Sequence, residues 1–204
     1  MPSDQTVFAG VELSAGSKPV TFAALDNDLN IVRLEKWNIL EVLSCLSDYE
    51  EISLAINMPT HAPEVYLDFK KKLAQAGFKP YARKSHPRQW WQTNAQDCFL
   101  ALIGQNLLPR HSLEGRLQRA LILYEQGVQI EDPMEIFEEI TRYKLLQGLL
   151  PFEKIYSSRQ LDTLAAAYVA WLVPNQTELT LAIGEHILEK IIRPGSASKQ
   201  RKEY

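Results

Sequence analysis

Two cysteines in 204 residues are too few for a disulfide framework, and Cys45 and Cys98 stand too far apart for metal-type spacing. They fit buried free thiols in a reducing compartment, so a cytoplasmic chain is expected. No apolar run approaches the ~20 residues that span a bilayer, and residues 1–6 lack a charged-then-apolar leader. Neither export nor a membrane partner is expected. A Walker-type Gly-rich loop, a His/Cys metal cluster and a Gly-x-Ser-x-Gly elbow are also missing, which leaves P-loop, zinc and α/β-hydrolase chemistry without support. Neither acidic nor basic residues dominate. With 22 Lys and Arg against 25 Asp and Glu the net charge is −3, so any contact with nucleic acid must come from a local basic patch.

What is present is enough for a full core. Hydrophobic residues make up 46% of the chain, and one domain over residues 1–194 is expected, followed by a small, polar, charged tail at 195–204 that reads as flexible. Val7 to Leu13 is a short apolar run of β-forming residues with one acid, Glu12, inside it. Strands are expected next at 20–25 and 31–37, joined by the turn-forming cluster at 26–30, which makes an antiparallel three-strand meander. Asn38 is placed to cap a helix to about residue 46, and 51–56 returns as a strand. Pro63 and Gly77 frame a helix between them, followed by a strand at 78–84 that Pro80 weakens. A polar and aromatic corner at 85–91 contains His86, Trp90 and Trp91, the two rings reading as one core and one partly covered side chain at a helix entrance. The remainder reads as helices at 95–103, 113–126 and 133–146, with a closing strand at 187–192. Ser112 and Gly127 bracket the second of these helices, and Asp132 and Glu135 are spaced as a capping box for the third.

The stretch 156–172 organises the rest. Leu161, Leu164, Ala165, Tyr168 and Leu172 recur at helical steps, and the run Ala165-Ala166-Ala167 allows close approach to a sheet. Asp162 sits about one turn in, where an acid either complements the helix dipole or is presented to a site. Glu12 is the more telling of the two acids, because a carboxylate in an apolar strand is costly to desolvate unless it is paired or coordinated.

The order β-β-β-α-β-α-β-α makes an α/β fold with a mixed sheet and helices on both faces, and it resembles the ribonuclease H-like fold. Five short stretches further resemble the family of predicted nucleases known as domain of unknown function 429: Gly10-Val-Glu-Leu-Ser14, Ala55-Ile-Asn-Met-Pro59, Lys84-Ser-His-Pro-Arg88, Glu114-Gly-Arg-Leu-Gln-Arg119 and Leu161-Asp-Thr-Leu-Ala-Ala-Ala167. The resemblance implies a divergent nuclease whose acids hold Mg2+ or Mn2+ against a phosphodiester of DNA or RNA. Two ions about 4 Å apart, with about six oxygen ligands each, call for three or four converging carboxylates. Glu12 and Asp162 stand at such positions. Asn57, Lys84 and Arg159 stand where the family has acids, so Lys84 and Arg159 are expected to reach the cleft and pair with the remaining carboxylates. Arg88, Arg110, Arg116 and Arg119, with His86, would add positive character able to hold a phosphate. The alternative is a catalytically inactive binding or interaction module. The segment Ser14-Ala-Gly-Ser-Lys18 also resembles a phosphate hairpin of the actin-like ATPases.

Overall fold

The structure, a computed structural model, describes residues 6–13, 19–57, 63–81, 86–104, 106–139, 142, 145–148, 154–183 and 191–194. Lys84, the 14–18 segment and the 195–204 tail lie outside them.

Strands β1 (Val7–Glu12), β2 (Val20–Leu25) and β3 (Ile31–Trp37) form the antiparallel meander, with Glu12 opposite Thr21 and Val20 opposite Trp37. Helix α1 (Ile39–Ser47) follows, and its cap is the expected one: the Asn38 side chain accepts from the backbone of Leu40 and Glu41, and the Glu41 carboxylate accepts from the Asn38 N–H. Strand β4 (Ile52–Asn57) then lies parallel to β1, and after α2 (Pro63–Gln75) the chain adds β5 (Lys79–Pro80) and β6 (Arg88–Thr93), the latter parallel to β4. Helices α3 (Ala95–Ile103), α4 (Leu113–Glu125), α5 (Pro133–Glu139), α6 (Leu145–Gln147) and α7 (Ser158–Asn175) precede strands β7 (Thr180–Ile183) and β8 (Ile191–Pro194). The result is an eight-stranded mixed sheet in the order β3-β2-β1-β4-β6-β8-β7, with β5 beside β6. No helix among the described residues is long and apolar enough to cross a membrane.

Period-two alternation divides the core between the two faces of this sheet. Val7, Ala9 and Val11, with Ile52, Leu54, Ile56 and Trp90, pack under α1 and α2. Phe8, Ala23, Ala55 and Trp91 pack under α3, α4 and α7. Both faces are covered, which is why the strands read as unbroken apolar runs. Helix α7 meets the sheet at Gly10, where a Cβ would lie 2.2 Å from Thr163 O and 2.5 Å from Ala167 N. The alanine run of α7 thus rests directly on the backbone of β1. With α4 on its other side, α7 is buried all round from Leu161 to Ala170. Neither cysteine is in a disulfide, and both are buried.

One expectation needs correction, and three others fall partly outside the described residues. The 85–91 corner contains the start of a sheet strand rather than a helix entrance, and Trp90 and Trp91, 4% and 3% exposed, go to opposite faces of the core. Neither ring is available to stack on a base. Polar residues and Pro87 masked the strand, whose order comes from its ladder with β4. Of the strand expected at 78–84, Lys79–Pro80 pairs with β6 and the Tyr81 N–H donates to Trp90 O at 2.8 Å, while residues 82–84 lie outside the described ones. Of the closing strand expected at 187–192, residues 187–190 lie outside the described ones; β8 includes Ile191 and Ile192 and pairs antiparallel with β7, which local pattern did not signal. Of the helix expected over 133–146, Pro133–Glu139 and Leu145–Gln147 are helical, and residues 140, 141, 143 and 144 lie outside the described ones.

Candidate functional site

Glu12, Asn57 and Thr93 are register partners at the carboxyl ends of β1, β4 and β6. Glu12 shares the face of Gly10 two residues earlier, so its side chain rises toward α7. That helix starts beside the same edge, held by a capping box between Ser157 and Gln160, and its first turns carry Asp162 over the strand ends. The two acids meet through one cation. Arg110 donates from Nε to Asp162 Oδ2 at 2.6 Å and from Nη2 to Glu12 Oε1 at 2.9 Å, with Nη2 also in contact with Asp162 Oδ2. The side chains are 12% exposed for Glu12, 7% for Asp162 and 37% for Arg110, so the carboxylates are enclosed and the guanidinium closes the site toward solvent.

The segment carrying Arg110 is held by its backbone. Arg119, itself 1% exposed, donates from Nη1 to Leu108 O at 3.1 Å and Gly115 O at 2.9 Å, and from Nη2 to Gln96 Oε1 at 3.0 Å. Gln118 Oε1 accepts from Leu108 N at 2.8 Å, and the buried Ser158 hydroxyl donates to Arg110 O at 2.8 Å. Gly115 leaves no space between the segment and α4, since a Cβ there would lie 2.0 Å from Pro109 O. Arg119→Leu keeps an apolar body over Phe99 but strands these carbonyls, and is expected to cost about 2 kcal/mol. Faster amide exchange in residues 106–110 would accompany that loss. Unchanged exchange there would show that Arg119 is not what holds the segment.

One guanidinium faces two carboxylates, and burial raises the cost of the charge left over. Burial and the neighbouring Asp162 charge push the Glu12 carboxyl up to about 7, against the opposing pull of Arg110 and, more weakly, Arg159. Asp162 is also raised by its burial, while Arg110, Arg119 and His111 act to lower it. Burial acts to weaken the Arg110 cation, but the two carboxylates outweigh it and raise its pKa. The second oxygen of Glu12, Oε2, is buried with no hydrogen-bond partner.

Of the residues singled out from sequence, Glu12, Asp162 and Arg110 come together, and Arg159 is close enough for its charge to act on Glu12. Arg110, read as a phosphate ligand, is an ion-pair partner of both acids, while Lys84, expected in that role, lies outside the described residues. Asn57 lies in the Glu12 row but caps α3, its Oδ1 accepting from Ala95 N at 2.9 Å. Arg116 is not a phosphate ligand as it stands. Its guanidinium donates to the carbonyls of Tyr156 and Ile155, fixing the approach to α7. Arg119 is likewise committed to the carbonyls above.

His86 and Arg88 are a plainer correction. Arg88 opens β6 opposite Ile52, five steps or about 16 Å from the Glu12 end. There it donates to Ala76 O, Ser47 O and Tyr49 O, tying the ends of α1 and α2 to the sheet, while His86 Nδ1 bonds the Arg88 backbone. Neither residue belongs to the cleft. Conversely, Ser158 and His111, 3.2 Å apart, line the site without having been singled out. The one sequence signal for them was the position of each at a helix entrance.

The site is therefore that of an α/β protein with a guanidinium-bridged acid pair at the carboxyl edge of its parallel strands. Compared with known proteins, the chain matches no protein-family model and no curated relative. A pair of divalent ions does not fit these residues as they stand: the two described carboxylates that converge here both accept from Arg110.

Proposed function

We propose that this chain is a ribonuclease H-like protein whose acid pair is neutralised internally, so that it works as a non-catalytic binding or interaction module and not as a nuclease. The order β3-β2-β1-β4-β6, antiparallel then parallel, supports the fold assignment, as does an acid on the last long helix over an acid on the first strand. The observation that carries the function is the donation of Arg110 to both Glu12 and Asp162. A guanidinium in that place repels the cations that phosphodiester hydrolysis would need and occupies the oxygens that would bind them.

The test is calorimetry with Mn2+ together with incubation on branched DNA and on an RNA–DNA hybrid. No site-specific heat and no metal-dependent cleavage are expected. Tight Mn2+ binding together with cleavage that Glu12→Ala removes would establish the nuclease instead.

A further inference from the structure

Residues 113–139 carry seven acids and two arginines, a formal charge of −5 in a chain whose total is −3. Both arginines are committed to backbone carbonyls, Arg116 to those of Ile155 and Tyr156 and Arg119 to those of Leu108 and Gly115. The acids therefore set the sign of the surface that α4 and α5 present. Lys154, whose Nζ lies 3.9 Å from Glu131 in an exposed pair, offsets one of them.

Within this acidic surface lies an apolar groove. Glu114, Leu117, Gln118 and Leu121 of α4, with Pro133 and Met134 of α5, line a cavity of about 310 Å3 whose wall is almost wholly apolar. The α4 residues recur at three- and four-residue steps, and Tyr124 and Glu125 continue the stripe, while Gly115, Arg119, Ile122 and Leu123 fill the opposite, buried side. The stripe runs from one acid through two leucines to a second acid, over about 16 Å or three helical turns. Met134 is 51% exposed and Tyr124 40%, so large apolar side chains face solvent along it.

We propose that this groove docks a basic amphipathic helix of a partner protein, about three turns long. Two large apolar side chains of that helix seat over Leu117, Leu121 and Met134, and Lys or Arg at its ends lie opposite Glu114 and Glu125. Charge selects this occupant. A second copy docked face to face would set one acidic surface against another, and an acidic peptide would be repelled likewise. A basic segment without apolar residues would leave the groove unfilled, whereas a helix presents anchors at the spacing of the stripe. Among the described residues, no side chain that lines the groove is hydrogen-bonded to Glu12, Asp162 or Arg110. The surface serves a partner whether or not the acid pair is catalytic.

Fluorescence anisotropy on the full chain tests this with a labelled leucine–lysine peptide of about 15 residues, its leucines at helical spacing. Binding with a micromolar Kd is expected, at least about tenfold tighter than for the same composition in scrambled order or for a peptide with Glu in place of Lys. Glu114→Lys with Glu125→Lys should weaken binding about tenfold and flatten its dependence on NaCl. Leu121→Gln with Met134→Gln should weaken it about tenfold and leave that dependence in place. Circular dichroism checks the fold of each variant, and Met134→Gln alone, at a half-exposed position, should still weaken binding about threefold if the pair does not fold. No binding by wild type, equal binding of the scrambled or acidic peptide, or folded variants that bind as wild type does would each overturn the proposal. A wild-type dimer in gel filtration that Met134→Gln dissociates would make the occupant a second copy and overturn it as well.

Discussion

Gly10→Val is expected to leave the chain without a stable folded state, at a cost of about 3 kcal/mol or more. A Cβ at this position meets backbone, not flexible side chain: Thr163 O at 2.2 Å and Ala167 N at 2.5 Å, with Ala166 Cβ at 3.1 Å. Those atoms belong to the middle of α7 and cannot yield without lifting the helix. Lifting it would open the core formed by Phe8, Ala23, Ala55 and the alanine run, and would carry Asp162 away from Glu12. Circular dichroism and gel filtration should show loss of the cooperative transition, with Gly10→Ala intermediate. A Gly10→Val protein melting with wild type would mean that α7 is not seated on β1 as described.

Glu12→Gln should stabilise the protein at pH 8 and leave it nearly unchanged at pH 5. Folding raises the Glu12 pKa from 4.5 to about 7, so between those values the native state binds a proton that the unfolded chain has released. Stability from this group is therefore present below pH 4.5 and is lost as pH rises to about 7. Asp162 is raised in the same direction and adds to the trend. Glutamine at position 12 keeps the shape, removes the uncompensated charge and leaves Arg110 paired with Asp162. The gain at pH 8 approaches about 3 kcal/mol as an upper bound, since water reaches the guanidinium side of the site. Urea denaturation at pH 5, 6, 7 and 8 gives the comparison. Wild-type and variant curves that stay parallel over that range would show that Glu12 is ionised throughout.

Much of the framework was legible locally, because it rests on short-range chemistry. Asn38 and Ser112 cap the helices they precede, and Gly77 and Gly127 take positive φ at the helix ends. The alanine run of α7 announced a helix that lies close on a sheet. Strand β6 was hidden because the polar residues Arg88, Gln89, Gln92 and Thr93 flank its two tryptophans and Pro87 precedes it. Nor did local pattern signal the pairing of β7 with β8, of which four residues each are described.

The sequence by itself determined that one acid stands at the end of the first strand and another one turn into the long buried helix, because strand alternation and helix capping act over a few residues. Only the tertiary structure decided which cation meets them. Arg110 lies 98 residues from Glu12 and 52 from Asp162, and it reaches both because Arg119, Ser158 and Gly115 seat its segment against α4 and α7. The same packing sends Arg88, Arg116 and Arg119 to backbone carbonyls that would otherwise be left unpaired. An arginine in a sequence is a charge on a long stem. Which oxygen it finds depends on the burial around it, which no local pattern records.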